Sequence, residues 1–502
     1  MRSHLATHIR RALLPQQPAR ELPAEQAAAP AATAGDDRIL VVGAGLAGLV
    51  VAHRLQGYGA VDIIEGRSRI GGRILSQANC LNTGRVAELG GETFDSDHVA
   101  SLALAAELGL TVVDLHQQPP LSTIYWFQGQ QLTETWLTQE LAAVSLADDL
   151  KHVAAFRAGA VTPQVVALDR QSIVEYMANR GASPLLQAVV RVAFTIKYGL
   201  DAEQQSSLNM LNFFCPGEGF NLFGASDERY YLAGGNGQLV QRLAATLAPQ
   251  IELDTVLEAL QVTPAGRYRV SLRCGSGSCD RSYDRVVLTV PFNLLRHIPL
   301  AAPISPQQRL AINSLGYNSP TKVITAHRYR PWVEAGVSGL VYSDRSWQHT
   351  WEASDSLAAT GAALLVQYPG GHQGQYSSRH PQAQAIEDLE VLFPGLQASR
   401  LPGLLSSPWL QDPFSQGAYA CYTVGQWTTL HGSEGQHVDH LYFAGEHCSR
   451  RYQGYMEGAT ETGEAVALAI LRTLSRPGYH HQQKRLKALE TKRRAIIQAC
   501  SG

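Results

Sequence analysis

Short apolar runs and helical spacings alternate along most of this chain. Arg38 to Val42 is a short, mostly apolar run ending at Gly43, which predicts a strand buried in a parallel sheet. Leu46 to Gln56 carries apolar residues at helical spacing and stops at Gly57 and Gly59, the residues that end helices. Val61 to Ile64 predicts the next strand, and strands recur late, at Tyr268–Leu272, Arg285–Thr289 and Leu441–Ala444. One sheet fed from such distant segments predicts a discontinuous α/β domain with another module inserted between its strands. The ends break the pattern. Residues 1–36 are rich in Ala, Pro and Gln, a composition that builds no core, so a flexible leader is expected. Its Arg10-Arg11 pair precedes an apolar stretch that stops at Pro15, short of the ~7–15 residues an export signal needs. In 479–502, Lys484, Arg485, Lys487, Lys492, Arg493 and Arg494 stand against Glu490, while Ala488, Leu489, Ile496 and Ile497 could form an apolar stripe. That reads as a solvated basic helix, or more sharply as peripheral contact with an anionic membrane surface.

Composition narrows the classes rather than the fold. The 502 residues are 45% hydrophobic and 17% charged, enough to bury a large core, and the length asks for two or three domains. Lys+Arg of 41 against Asp+Glu of 43 leaves a net charge of −2, without the basic excess of a nucleic-acid binder. The seven cysteines are scattered, so a disulfide scaffold is not expected and a reducing, cytoplasmic setting is the default. Cys274 and Cys279 alone are close, and the Gly-Ser-Gly between them is hairpin-tip chemistry rather than a metal site. No run reaches the ~18 apolar residues of a membrane span.

Local chemistry is densest after the first strand. Gly43-Ala44-Gly45-Leu46-Ala47-Gly48 follows a strand and opens a helix, and a second strand ends at Glu65, seventeen residues past Gly48. That context is a Rossmann-like dinucleotide fingerprint. Gly43 permits the tight turn, Gly45 lets backbone approach a pyrophosphate, and Gly48 lets helix and strand touch. The helix N-terminus offers N–H groups to phosphate, and Glu65 suits a ribose hydroxyl, which disfavours a 2′-phosphorylated cofactor. Three further segments join it: Glu65-Gly66-Arg67-Ser68-Arg69-Ile70-Gly71-Gly72-Arg73, Glu88-Leu89-Gly90-Gly91-Glu92, and Ala444-Gly445-Glu446-His447 followed by Gln453-Gly454-Tyr455-Met456. With these the chain resembles the flavin-containing amine oxidase family of monoamine, polyamine and L-amino acid oxidases over roughly residues 37–475.

The resemblance implies FAD as cofactor. It assigns Glu65, Gly66 and Arg67 to the adenosine ribose, Gly72 and Arg73 to the pyrophosphate and flavin side, and the backbone of Leu257 to adenine. Gly90 and Gly91, with Glu92 and Thr93 behind them, would run past the flavin ring. Gly445 and Glu446 would meet the ribityl phosphate, and the helix starting near Tyr455-Met456 would aim its N–H groups at the flavin's N1/C2=O edge. Lys322 matches the family lysine that holds a water at flavin N5. Tyr419 and Tyr455 match the two aromatics that sandwich the substrate amine. Ala418 stands where covalently flavinylated members carry cysteine, so FAD is expected to be non-covalent.

The implied reaction is hydride transfer from the carbon of a C–N bond to the flavin, giving an imine that hydrolyses, with oxygen or a quinone as the final acceptor. Amino acid oxidases of the family carry an arginine soon after the second glycine pair, where this chain has Glu92-Thr93-Phe94-Asp95. Trp351 and Glu352, with Trp347 near them, are the candidates to meet a substrate with a basic tail. A desaturase acting on C–C bonds and a flavin-binding protein without turnover are the other readings. The expected layout is an FAD-binding domain from 37–95, 230–300 and 405–475, and a substrate-binding α+β domain from 96–229 and 301–404.

Overall fold

Five strands from widely separated stretches of chain make one parallel sheet: β1 (Arg38–Val42), β2 (Ala60–Ile64), β3 (Ile251–Glu252), β4 (Arg285–Leu288) and β5 (Leu441–Phe443). Their order is β5-β4-β1-β2-β3, and every pairing is parallel. The computed structural model describes residues 37–117, 122–214, 226–275, 277–357, 361–383, 387–474 and 478–500; the expected leader lies outside them. In the central strands Ile39–Val42 and Val286–Leu288 are buried on both faces, which is why they read as unbroken apolar runs. Tyr268–Leu272 is the exception to the expected sheet. It is part of Tyr268–Cys274, which pairs antiparallel with Thr255–Val262 and Gly277–Tyr283 in a separate four-stranded sheet. Its residues alternate between buried and partly exposed, the period-two pattern of a strand with one wet face. The turn after Cys274 is the predicted hairpin tip, with Cys274 opposite Gly277.

The second large sheet has seven strands, in the order Leu405–Ser406, Val323–His327, Ala363–Gln367, His349–Glu352, Val337–Ser343, Ser122–Phe127, Gln130–Leu132. It is antiparallel except where Val337–Ser343 runs parallel to Ser122–Phe127. The helices that matter for the site are α1 (Leu46–Leu55), α2 (Val99–Glu107), α3 (Pro184–Tyr198), α4 (Met456–Thr473) and α5 (Gly478–Cys500). α3 starts at Pro184 after a Ser183 cap and stops at Gly199 in the left-handed conformation, the favoured residues at each end. Leu186, Val189, Val190 and Phe194 anchor it in the core, and so fix the direction of its last turn.

α5 is the basic tail, and it lies against the protein. Leu489 and Ile496 pack on Val99 and Ala100 of α2, whereas Ala488 is exposed and the Ile497 side chain lies outside the described set. Two of the six cations turn inward. Arg493 pairs with Glu457 at 2.6 Å, and Arg485 with Glu107 at 2.9 Å. No described helix is long and apolar enough to cross a membrane.

Candidate active site

A cavity of about 1910 Å³ runs between the two large sheets. At one end the chain turns out of β1 at Gly43 (φ +110°) and enters α1 through Gly45, whose N-terminus has no side-chain cap. The glycines here differ in what they face. A Cβ on Gly48 would stand 2.0 Å from the Gly43 carbonyl oxygen, so Gly48 serves contact between helix and turn. A Cβ on Gly45 would find nothing nearer than the Gly72 Cα at 3.9 Å, and Gly45 lines the cavity. The uncapped N–H groups and this open cradle fit a pyrophosphate. Glu65, at the end of β2, is buried; its Oε2 accepts from the Ala44 N–H at 3.0 Å and its Oε1 from the Arg67 N–H at 3.0 Å. Arg67 also donates to Asp412 and Ser415. Thr255, Val256 and Leu257 complete this end.

Midway, Arg73 pairs with Glu446 at 2.7 Å and donates to the Ala418 carbonyl. The other Glu446 oxygen accepts from the Gly454 N–H at 2.7 Å, which ties the start of α4 to this pair. Gly90 and Gly91 border the cavity, yet their demand for glycine is internal. A Cβ on Gly90 would lie 1.8 Å from the Arg73 carbonyl oxygen, and one on Gly91 would lie 2.9 Å from the Met456 side chain.

Lys322, at the head of strand Val323–His327, is buried at 6% exposure. Its ammonium donates to the carbonyls of Glu88 (2.9 Å) and Gly90 (3.0 Å) and to Glu92 Oε2 (2.7 Å). Those contacts use all three of its N–H bonds. Glu92 also accepts from Trp351 Nε1 and from the Ser354 backbone and hydroxyl. Burial pushes Glu92 toward neutrality, but Lys322 and Ser354 outweigh it and hold the carboxyl below its ordinary value. The segment Gly234-Gly235-Asn236 supports this loop, with Asn236 Nδ2 donating to the carbonyls of Gly91 (3.0 Å) and Glu92 (2.6 Å).

The far end is aromatic. Tyr419 and Tyr455 both line it, and the Cβ direction at Gly454 meets the Tyr419 ring at 3.1 Å. The Tyr419 hydroxyl donates to the Lys197 carbonyl (3.1 Å) and contacts the Tyr368 hydroxyl (3.2 Å). Burial raises both cage phenols above their ordinary pKa, so both stay neutral. Trp351 meets Tyr368 edge-on at 5.3 Å, and His349 stacks on Tyr342 at 4.4 Å. Burial lowers the His349 pKa to about 4, so its ring is uncharged at neutral pH. The arrangement can hold an amine between electron-rich faces in a water-poor pocket.

Every sequence-predicted site residue borders the cavity except Ala44 and Gly48, which stand behind its wall, and Trp347. Three expectations need correction. Lys322 has no N–H left to hold a water, because all three are spent on Glu88, Gly90 and Glu92. Glu352 reaches the cavity wall but is spent on the protein, accepting from Arg330 Nε (2.8 Å) and Trp332 Nε1 (2.8 Å). It therefore has no net charge to offer a cationic substrate tail. Trp347 is fully buried in an apolar cluster with Trp332 and Phe393, away from the cavity. The sequence reading missed Lys197, Tyr342, His349 and Tyr368, which arrive from α3 and the seven-stranded sheet. No local spacing marks them, because their meeting point is set by packing.

This fold and cavity define a flavin-dependent oxidoreductase of amines. A sequence model of the flavin-containing amine oxidoreductases matches residues 46–471, and the chain belongs to that family. It is 26% identical over 482 residues to the flavin-dependent L-tryptophan oxidase RebO of Lentzea aerocolonigenes, covering 87% of this chain and 98% of that protein. Protein FLOWERING LOCUS D of Arabidopsis thaliana is 27% identical over 451 residues, 86% of this chain. The chain spans only 55% of that protein's length. Among solved structures, cyclohexylamine oxidase from Brevibacterium oxydans superposes with a TM-score of 0.75 at 21% identity, covering 88% of this chain and 100% of the other. Putrescine oxidase bound to putrescine gives 0.75 at 20% identity, covering 87% and 99%. The amine oxidase fold and family anticipated from the motifs are thereby borne out.

Proposed function

We propose that the chain binds FAD non-covalently along this cavity and oxidises a C–N bond of an amine or L-amino acid. The observation that carries the proposal is the continuity of the cavity from the uncapped start of α1 and Glu65 to the pocket between Lys322, Tyr419 and Tyr455. A shorter flavin would leave the Glu65 end with nothing to hold. FAD, when bound, supplies the two-electron oxidation by accepting the hydride from the carbon next to nitrogen. Glu65 accepts from a ribose hydroxyl, and the N–H groups of Leu46 and Ala47 bind phosphate. Arg73 and Glu446, locked to each other, fix the middle of the cofactor. Tyr419 and Tyr455 orient the neutral amine, and Lys322 with Glu92 rigidifies the Gly90–Thr93 loop beneath it. The two-domain division expected from the sequence belongs to the same proposal. None of the described cysteines lines the cavity, which supports non-covalent binding.

The test is anaerobic addition of an amine and amino acid panel, read as bleaching of the flavin's visible band. Bleaching by at least one compound is expected, and none across a broad panel would leave a desaturase or a binding protein as the better reading. Peroxide release against dye reduction then separates oxygen from a quinone as acceptor. Acid precipitation should leave all flavin in the supernatant as FAD, and flavin retained on the polypeptide would overturn the non-covalent assignment.

A further inference from the structure

The cysteine pair at the tip of the four-stranded sheet's hairpin does not line the cavity. Cys274 ends the strand Tyr268–Cys274, and Cys279 lies in the strand Gly277–Tyr283 that pairs with it. Leu272 stands opposite Cys279, and Cys274 opposite Gly277. Side chains two apart share a face of a strand, so Cys274, Leu272 and Cys279 project to the same side and the two cysteines are diagonal neighbours. Gly277 puts no side chain between them, and the place its Cβ would take has no neighbour within 4 Å. The Sγ atoms of Cys274 and Cys279 lie 3.3 Å apart across that space.

Distance, access and charge bear on what two such thiols can do. A disulfide is about 2.05 Å long, so the sulfurs need to approach by about 1.2 Å, which small rotations about the two Cα–Cβ bonds supply. Cys274 and Cys279 are half-buried, whereas the other described cysteines, Cys80, Cys421 and Cys448, are buried. Arg281 Nη2 is 3.9 Å from the Cys274 sulfur, and a cation there favours the thiolate, the form that reacts. The hydrogen bond to Cys279 acts the other way and raises the Cys274 pKa, which makes the pair a slow reactant.

We propose that Cys274 and Cys279 are a redox modification site, closed to an intrachain disulfide by a hydroperoxide and reopened by a dithiol. In the forward direction one thiolate attacks a peroxide oxygen, the O–O bond breaks, and a sulfenic acid and hydroxide form. The second thiolate attacks the sulfenic sulfur, the S–O bond breaks, and the disulfide and another hydroxide form. The two thiol protons end on the two hydroxides. Two thiols and one hydrogen peroxide thus give one disulfide and two waters, the sulfurs losing the two electrons that the peroxide gains. The bond fastens the hairpin beside the Glu65 end of the cavity, because Thr255 stands opposite Cys274, and Thr255, Val256 and Leu257 line that end. Neither flavin nor substrate takes part, so this proposal stands or falls apart from the amine-oxidising reading.

The test uses the full-length, flavin-loaded protein, reduced with dithiothreitol, freed of it and exposed to excess hydrogen peroxide. Arg273 and Arg281 flank the pair, so cleavage after arginine releases both cysteines in the single peptide 274–281. That peptide is expected to become two hydrogens lighter and to resist thiol alkylation, and renewed dithiothreitol should restore both thiols. Hydrogen exchange in Tyr268–Cys274 and Gly277–Tyr283 should slow by about tenfold in the oxidised protein, as a bond across a short loop demands. With Cys279→Ser the oxidised Cys274 has no partner, and the peptide should gain oxygen instead of losing hydrogen. The proposal is overturned if the wild-type pair keeps its thiols, runs on to sulfinic acid, or is joined to a second chain. Exchange that does not slow, or a Cys279→Ser peptide that still loses two hydrogens, would overturn it as well. The wild-type peptide decides even where the variant does not fold.

Discussion

Gly45 and Gly48 sit three positions apart and are glycine for different reasons. Gly48→Ala drives a methyl group into the Gly43 carbonyl, 2.0 Å away, so it should lower the melting temperature of the protein with or without cofactor. Gly45 has ordinary extended dihedrals (φ −75°, ψ 178°) and free space ahead of it. Gly45→Val should leave the apoprotein's melting temperature near wild type while removing the stabilisation that added FAD gives. That stabilisation amounts to about 2.7 kcal/mol at a hundred times Kd. An apoprotein destabilised by Gly45→Val, or one still stabilised by FAD, would show that the cradle is misassigned. Glu88 offers a pH test. Burial pushes its carboxyl up to about 7, against the Asn236 N–H and Ser76 hydroxyl that favour its charge. A carboxyl raised on folding gives its full stabilisation below its unfolded pKa of 4.5 and loses it as pH climbs through the folded value. Relative to Glu88→Gln, wild type should therefore lose about 3 kcal/mol between roughly pH 4.5 and 7.5. Melting curves of the two proteins that run parallel over that range would refute the assignment. The two glycine roles were legible in the sequence, but the raised carboxyl was not, because there Glu88 is merely an acid before a glycine pair.

At the scale of elements, α5 shows how a charge run is misjudged without its neighbours. Glu457, in the first turn of α4, accepts from the Ala100 and Ser101 N–H groups at the start of α2 and from Arg493 of α5. One fully buried carboxylate thus joins three helices. Removing its cation leaves a buried charge poorly compensated, which costs about 3–5 kcal/mol. Arg493→Ala should lower the melting temperature and speed hydrogen exchange along α5, with Arg493→Lys recovering part. A variant that melts and exchanges like wild type would mean the helix is held by Leu489 and Ile496 instead. Strands were easier to read. β1, β4 and β5 were legible as apolar runs because both of their faces are buried, and β2 as a short run that Asp62 interrupts on its wetter face. Tyr268–Leu272 was recognised as a strand but assigned to the wrong sheet. Alternation reveals a wet face without revealing which neighbour covers the other.

At the scale of the whole molecule, the cavity exists because two sheets built from interleaved segments face each other across it. The sequence by itself determined the turn Gly43–Gly48, the acid at Glu65, the family, and most residues of one end of the cavity wall. Those depend on contacts within a few residues or on motifs whose chemistry is local. Only tertiary structure decided the charge balance of the pocket. Lys322 meets Glu92 across 230 positions, and Glu352 is paired with Arg330, which stands outside the sheet at the start of the short helix Pro331–Glu334. Lys197 comes to the cage from a helix that carries no motif. Electrostatic pairing acts through space and needs no pattern along the chain. That is why the reaction was legible in the sequence, while the partner of each charge had to come from the fold.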